Sequence, residues 1–201
     1  MKQRLIILAS VIVILNTSAW TQRSSLTTYK VSENSRVWVE GTSTIHAWTC
    51  DTQSAIGTVE IESGLDASLE IVSTQIVIPV SGLDCRNGTM NKKMFKALGA
   101  DTTPDILFVL DDAIVSTDET GRPTLVDVDG LLMIAGRTKS IKVSEISIEQ
   151  VSEGLEFSGS VKLLMSDYGV KPPTALLGTI RTGDEVEVHF TLNMSVTKKY
   201  S

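Results

Sequence analysis

The chain has 201 residues, 42% hydrophobic, 21% charged and 5% aromatic, which suffices for one domain with a real core and excludes wholesale disorder. Eighteen Lys and Arg stand against 24 Asp and Glu, a formal charge of −6. No basic run offers the clustered cations that phosphate neutralisation needs, so nucleic acid is not an expected partner.

The mean hydropathy of +0.13 raises the question of membrane residence. Much of it lies in the first segment. Lys2 and Arg4 precede an apolar run from Leu5 to Leu15, interrupted only by Ser10, and Asn16-Thr17-Ser18-Ala19 supplies small residues up to a cleavage position. Basic, apolar, small is the order of a secretory signal peptide, here residues 1–19. As a helix rising about 1.5 Å per residue, the run reaches roughly half of a ~30 Å hydrocarbon core, which is short for an anchor. No cysteine stands at the cleavage position for lipid attachment. Removal leaves residues 20–201 as one domain of 182 residues with a formal charge of −8 and no later stretch of membrane-spanning length. The mature protein is expected in the periplasm or outside the cell.

From about Thr27 to Lys198 the apolar residues alternate instead of running continuously. β-rich stretches fall at 36–41, 44–49, 55–61, 69–80, 106–110 and 140–148, and three further stretches alternate strictly. In the first, Val126, Val128, Gly130, Leu132 and Ile134 interleave with Asp127 and Asp129. In the second, Leu155, Phe157, Gly159, Val161, Leu163 and Met165 interleave with Glu156, Ser158, Ser160 and Lys162. The last sets Val186, Val188, Phe190, Leu192, Met194 and Val196 against Glu187, His189, Thr191, Asn193 and Ser195. Period-two alternation gives a strand one dry face and one wet face. With Gly64, Gly82, Pro104, Gly136 and Gly154 as punctuation, the pattern predicts an all-β antiparallel barrel or sandwich.

One segment departs from this period. Met90, Met94, Phe95 and Leu98 share one helical face, with Thr89 expected as the N-terminal cap and Gly99 as the stop. The segment predicts one short amphipathic helix over an open end or edge of the sheet, either a core plug or a lid that touches ligand. Its methionines and phenylalanine make a deformable surface suited to a greasy ligand.

Cys50 and Cys85 are the two cysteines. In an oxidising compartment an even pair is expected to form a disulfide, with two buried thiols as the alternative. Closing the loop removes about 3–4 kcal/mol of unfolded-chain entropy. There is no CxxC, and only His46 and His189 are available as imidazole ligands, so no metal site is expected.

Catalytic motifs are absent: no G-x-S-x-G elbow, P-loop, G-x-G-x-x-G or H-E-x-x-H occurs. Gly41-Thr42-Ser43-Thr44 joins two strand patterns rather than a strand and a helix. His189 lies on the wet face of the last strand and reads as solvated. His46, between Ile45 and Ala47 and near Trp48, reads as partly buried and hydrogen-bonded. Asp111-Asp112 and the Asp127/Asp129 pair read as turn and wet-face residues. No catalytic residue and no cofactor are expected.

Several motifs recur in a recognisable order. Arg36-Val37-Trp38 through His46 and Trp48 forms an opening strand pair with a histidine after the first strand. The helix is followed by Pro104-Asp105-Ile106-Leu107-Phe108, of the form P-x-I-x-F. Gly130-Leu131-Leu132-Met133-Ile134-Ala135-Gly136-Arg137-Thr138-Lys139 has the form G-x-L-x-(I/L)-x-G-x-T-K. Asp167-Tyr168-Gly169-Val170 and Gly183-Asp184-Glu185-Val186 close the chain. Together these motifs, over nearly the whole mature chain, resemble the YceI-like family of secreted, lipocalin-like lipid-binding proteins. The resemblance implies an extended antiparallel barrel of about eight strands whose long apolar cavity holds a polyisoprenoid or similar amphiphile. The sequence departs from many relatives in carrying Met90, Lys92, Lys93 and Met94 where they have a histidine- and acid-rich segment. It also carries Ser140 where they have proline after the T-K pair.

The expected function is a noncatalytic carrier for an isoprenoid or other long-chain amphiphilic lipid. The candidate cavity residues are Phe157, Val161, Leu163, Val188, Phe190 and Leu192 from the dry strand faces, with Met94 and Phe95 from the helix. Each buried methylene of a chain ligand contributes about 0.8 kcal/mol, so binding needs no polar anchor. The oligomeric state is open, a homodimer included. A carbohydrate- or protein-binding β-sandwich using Trp20, Trp38 or Trp48 as a platform is the second reading, and a small secreted hydrolase the third.

Overall fold

The structure, a computed structural model, describes residues 25–64, 68–175 and 179–200. The expected signal peptide at 1–19, and Trp20 beyond it, lie outside the described residues. Strands β1 (Ser25–Val31), β2 (Arg36–Ser43), β3 (Ala47–Thr52), β4 (Ile56–Ser63) and β5 (Leu69–Pro79) precede a 3-10 turn at Val80–Gly82 and helix α1 (Gly88–Leu98). β6 (Asp105–Thr117), β7 (Pro123–Ile134), β8 (Arg137–Val151) and β9 (Gly154–Leu164) follow. A 3-10 turn at Met165–Tyr168, the two-residue β10 (Thr174–Ala175) and β11 (Ile180–Tyr200) complete the chain.

The strand pairings are antiparallel. β1, β4, β5, β6, β7, β8, β9 and β11 are neighbours in that order, and β11 returns to β1, which closes an eight-stranded barrel. Closure, and not alternation, separates a barrel from a sandwich, because both architectures need one dry face per strand. β11 makes it possible by its length: its 21 residues pair β1 from Met194 onward and β2 from Thr182 to Thr191. The β2–β3 hairpin therefore extends the wall beyond β1.

The dry faces predicted from alternation supply the buried core, except at Val196, which is exposed near the end of β11. Ile61, Val126 and Met194 are almost wholly buried and fill the lower end with Val59, Ile148 and Leu155. At the other end Leu132, Tyr168 and Val170 pack with Leu98, Ile106 and Ile134, so the helix and the Met165–Tyr168 turn cover the top of the barrel.

Three local readings are corrected. Asn87, not Thr89, caps α1: its side chain accepts from the Thr89 and Met90 N–H groups, while Gly99 ends the helix in the left-handed region at φ 67°. Asp111 and Asp112 are not in a turn. They lie inside β6, which runs past residue 110 through a bulge where the register with β7 shifts between Leu110 and Asp112. Strand β1, absent from the predicted set, joins the wall between β4 and β11.

Candidate functional site

Above the packed lower end the inward side chains do not meet across the barrel, and a cavity of about 590 Å³ remains. This size falls within the range of small-molecule sites. The wall is aliphatic and aromatic, with Phe108, Phe157 and Phe190 among its rings. Two inward glycines make room for them. A Cβ on Gly130 would stand 2.6 Å from the Phe108 ring, and one on Gly159 would stand 3.0 Å from that of Phe190.

Among the described residues the lining contains no Asp, Glu or Arg, and its single lysine is Lys93. Polar side chains gather at the mouth: Ser43 and His46 from the β2–β3 turn, Asn87, Thr89 and Lys93 from the start of α1, and Thr174. The Lys93 ammonium donates to the Thr174 carbonyl at 2.9 Å, tying the helix to the segment after β9. His46 is exposed here, not partly buried, with Nδ1 2.7 Å from the Ala47 carbonyl oxygen. The Ser43 hydroxyl braces that turn, donating to the His46 carbonyl at 2.8 Å and accepting from the His46 N–H at 3.2 Å.

Helix α1 is fixed over the gap beside β3 by several bonds of different kinds. A disulfide joins Cys50 on β3 to Cys85. Next to it, Asp51 and Asp84 exchange backbone hydrogen bonds at 3.0 and 2.8 Å. Asn91 accepts from the Cys85 N–H and donates to the Asp84 carboxylate, both at 2.8 Å. That amide, together with the Arg86 N–H, holds the Asp84 carboxyl below its usual range. Arg36 and Arg86 converge on the Asp51 carboxylate at 3.0 and 3.3 Å.

Seven of the eight residues expected at the cavity line it: Phe157, Val161, Leu163, Val188, Phe190, Leu192 and Met94. They divide by depth. Phe157 and Leu192 are buried among core residues, while Val161, Leu163, Val188 and Phe190 are half-buried and border open space. Phe95 does not line the cavity. The helical stripe facing inward is Met90, Lys93, Met94, Ala97 and Leu98, and Phe95 sits about 100° around from Met94. Sequence reasoning missed Lys93 and Ala97. Their i+3 and i+7 spacing from Met90 is the signal, once a lysine is allowed to lay its methylenes along the wall.

His189 is not solvated. Its ring stacks on Trp38 with centroids 5.0 Å apart and 9° between planes, its side chain is 24% exposed, and Nε2 is buried without a hydrogen-bond partner. Arg36 covers the same indole at 4.9 Å. Trp48 lies against Gly41, where a Cβ would fall 2.2 Å from the indole, and donates to the Thr42 carbonyl at 3.1 Å. Burial, then the neighbouring charge of Asp167, pushes the Tyr168 phenol up from its usual value. Among the described residues no group of three His, Cys, Asp or Glu could hold a metal ion, and no helix is long and apolar enough to cross a membrane.

A closed antiparallel barrel, packed at one end and hollow under a short helix at the other, defines the lipocalin-like class of barrel. Within that class the chain belongs to the YceI-like domain family, which matches residues 24–194. Its fold is similar to that of Burkholderia cenocepacia BcnA, with a TM-score of 0.63, 18% identity, and coverage of 84% of this chain and 99% of that one. It is also similar to a polyisoprenoid binding domain from Saccharophagus degradans implicated in plant cell wall breakdown, with a TM-score of 0.64, 14% identity, and 86% and 99% coverage. The Campylobacter jejuni YCEI protein aligns with a TM-score of 0.57 at 18% identity, over 74% of this chain and 84% of that one. At these identities the likeness is one of fold. No curated protein matches the chain.

Proposed function

We propose that the protein is a noncatalytic carrier that holds an isoprenoid or other long-chain amphiphilic lipid in the barrel, outside the cytoplasm. The observation that carries this reading is the cavity of about 590 Å³ whose lining has no Asp, Glu or Arg among the described residues. Such a wall offers an alkyl or prenyl chain burial without competing charge, at about 0.8 kcal/mol per methylene. The polyisoprenoid-binding description of the Saccharophagus domain supports the ligand class. The signal-peptide pattern at 1–19 and the Cys50–Cys85 disulfide support an oxidising compartment.

The tryptophan-platform alternative finds no support. The Trp38 ring is in contact with both Arg36 and His189, and Trp48 lies against the wall at Gly41. Native mass spectrometry of protein purified from its own host is expected to show a lipid adduct. An empty barrel that also takes up no isoprenoid in solution would overturn the reading.

A further inference from the structure

We infer that a slot in the barrel wall between β8 and β9 receives the anionic head, a phosphate or carboxylate, of an amphiphile whose chain lies in the cavity. The inference rests on the carrier reading and adds to it a second opening and a class of head group.

The slot follows from where the wall stops pairing. The β8–β9 ladder runs only from Val151 opposite Gly154 to Ser147 opposite Ser158. Beyond that point β8 continues to pair β7 as far as Arg137, and β9 continues to pair β11 as far as Leu164, but not one another. A bend in β8 marks the parting. The β7–β8 register shifts between Val126 and Val128, and Glu145 takes a left-handed φ of 58°. The Asp127 carboxylate accepts the Glu145 N–H at 2.8 Å and holds the bend in place.

A depression of about 390 Å³ occupies the gap. Ile141, Val161 and Leu163 line both this depression and the barrel cavity, so a single layer of side chains lies between the two. Its rim carries Lys139 and Lys142 from β8 and Lys162 from β9, against Asp167 and Glu185. Among these five side chains three are cationic and two anionic, on a chain whose formal charge is −6.

These lysines are weakly committed. Lys162 approaches Glu185 only to 4.0 Å and Lys139 approaches Asp167 to 3.9 Å, all four side chains being at least half exposed. Such pairs contribute little and reorganise readily onto a better anion. Lys142 has no ion-pair partner among the described residues. The lysine at the main mouth, by contrast, is occupied by the Thr174 carbonyl. An anionic head therefore finds weakly paired cations at the slot, one wall thickness from the apolar lumen.

Calorimetric titration of the mature chain with farnesyl phosphate, farnesol and inorganic phosphate tests this. Farnesyl phosphate is expected to bind at least tenfold tighter than farnesol, with inorganic phosphate far weaker than either. The triple variant Lys139→Gln, Lys142→Gln, Lys162→Gln is expected to close that gap with farnesol affinity unchanged, which also reports an intact barrel. Lys142→Gln alone is expected to close part of it. A gap that survives the triple substitution, or a parallel loss of farnesol binding, overturns the proposal. Inorganic phosphate bound as tightly as farnesyl phosphate would make the slot a free-anion site unconnected to the lumen, and the proposal would fail. Farnesol binding without preference for the phosphate removes the slot and leaves the carrier reading standing. Entry of neither lipid removes both.

Discussion

Ser35 and Asn193 exchange hydrogen bonds at the one place where the β1–β2 edge leaves β11. The Ser35 hydroxyl donates to the Asn193 carbonyl at 3.2 Å and accepts from the Asn193 N–H at 3.0 Å, and Ser35 is completely buried. The Ser32 N–H reaches the same carbonyl at 2.8 Å. A side-chain hydroxyl thus takes over the ladder across the gap between two strands that pair successive lengths of β11. Ser35→Ala leaves the Asn193 N–H buried without its acceptor, so stability is expected to fall by about 1–3 kcal/mol. A urea midpoint unchanged from wild type would remove this role.

The disulfide has a mechanical consequence as well as an energetic one. It ties the free edge of β3 to the segment that leads into α1, beside the Asp51–Asp84 backbone bridge. Replacing both Cys50 and Cys85 with serine is expected to lower stability by about 3–4 kcal/mol on chain-entropy grounds. Because α1 carries Met90, Met94 and Leu98 over the cavity, the same change is expected to speed release of a loaded prenyl chain. Thermal melting measures the first effect and stopped-flow transfer of a fluorescent prenyl probe to vesicles the second. A protein that melts earlier but releases at the wild-type rate would confine the disulfide to folding.

Acid is expected to loosen the helix anchor before it unfolds the barrel. The Asn91 amide and the Arg86 N–H donate to Asp84 and depress its carboxyl below the ordinary 3.8. A folded-state value below the unfolded one means that this contribution is complete above about pH 4 and lost as pH falls through the lower folded value. Asp118 behaves alike in the β6–β7 turn, where the Thr120 hydroxyl and the Arg122 N–H hold it down, so a global melt mixes the two. Hydrogen exchange of the Cys85 and Asn91 amides separates them. Protection there is expected to decline below pH 4 in wild type and to lose that dependence in Asp84→Asn.

The strands whose apolar residues alternate without interruption were the most legible in the sequence. Val186 to Met194 and Leu155 to Leu163 keep one face throughout, so their inward residues follow from spacing alone. In β1 the inward positions Thr27, Tyr29 and Val31 keep the period of two, but one of them is a polar threonine, so hydropathy does not mark the face. The second half of β6 was hidden where Asp111-Asp112 interrupts the apolar pattern at the register shift with β7. The slot lies further out of reach: it depends on which neighbours β8 and β9 lack, and periodicity reports faces but not partners. Phe95 failed for a different reason, since a four-residue apolar stripe leaves the helical phase uncertain by one position until the packing fixes it.

Burial depth divides the cavity residues into those that support the barrel and those that border its contents, and two substitutions separate these roles. Phe157 is buried among Ile146, Ile148 and Leu192 at the packed end, so Phe157→Ala is expected to destabilise the fold by about 3–5 kcal/mol. Val188 on β11 is half-buried, opposite Val161 and Val39, and faces the open lumen. Val188→Trp places an indole in that space, so it is expected to leave the melting temperature within a few degrees of wild type and to reduce uptake of a C15 or longer prenyl chain by at least tenfold. Paired melting curves and prenyl-probe titrations on both variants make the comparison. If Val188→Trp binds the chain as wild type does, the ligand does not thread the lumen past β11, and the half-buried residues lose their assignment as its wall.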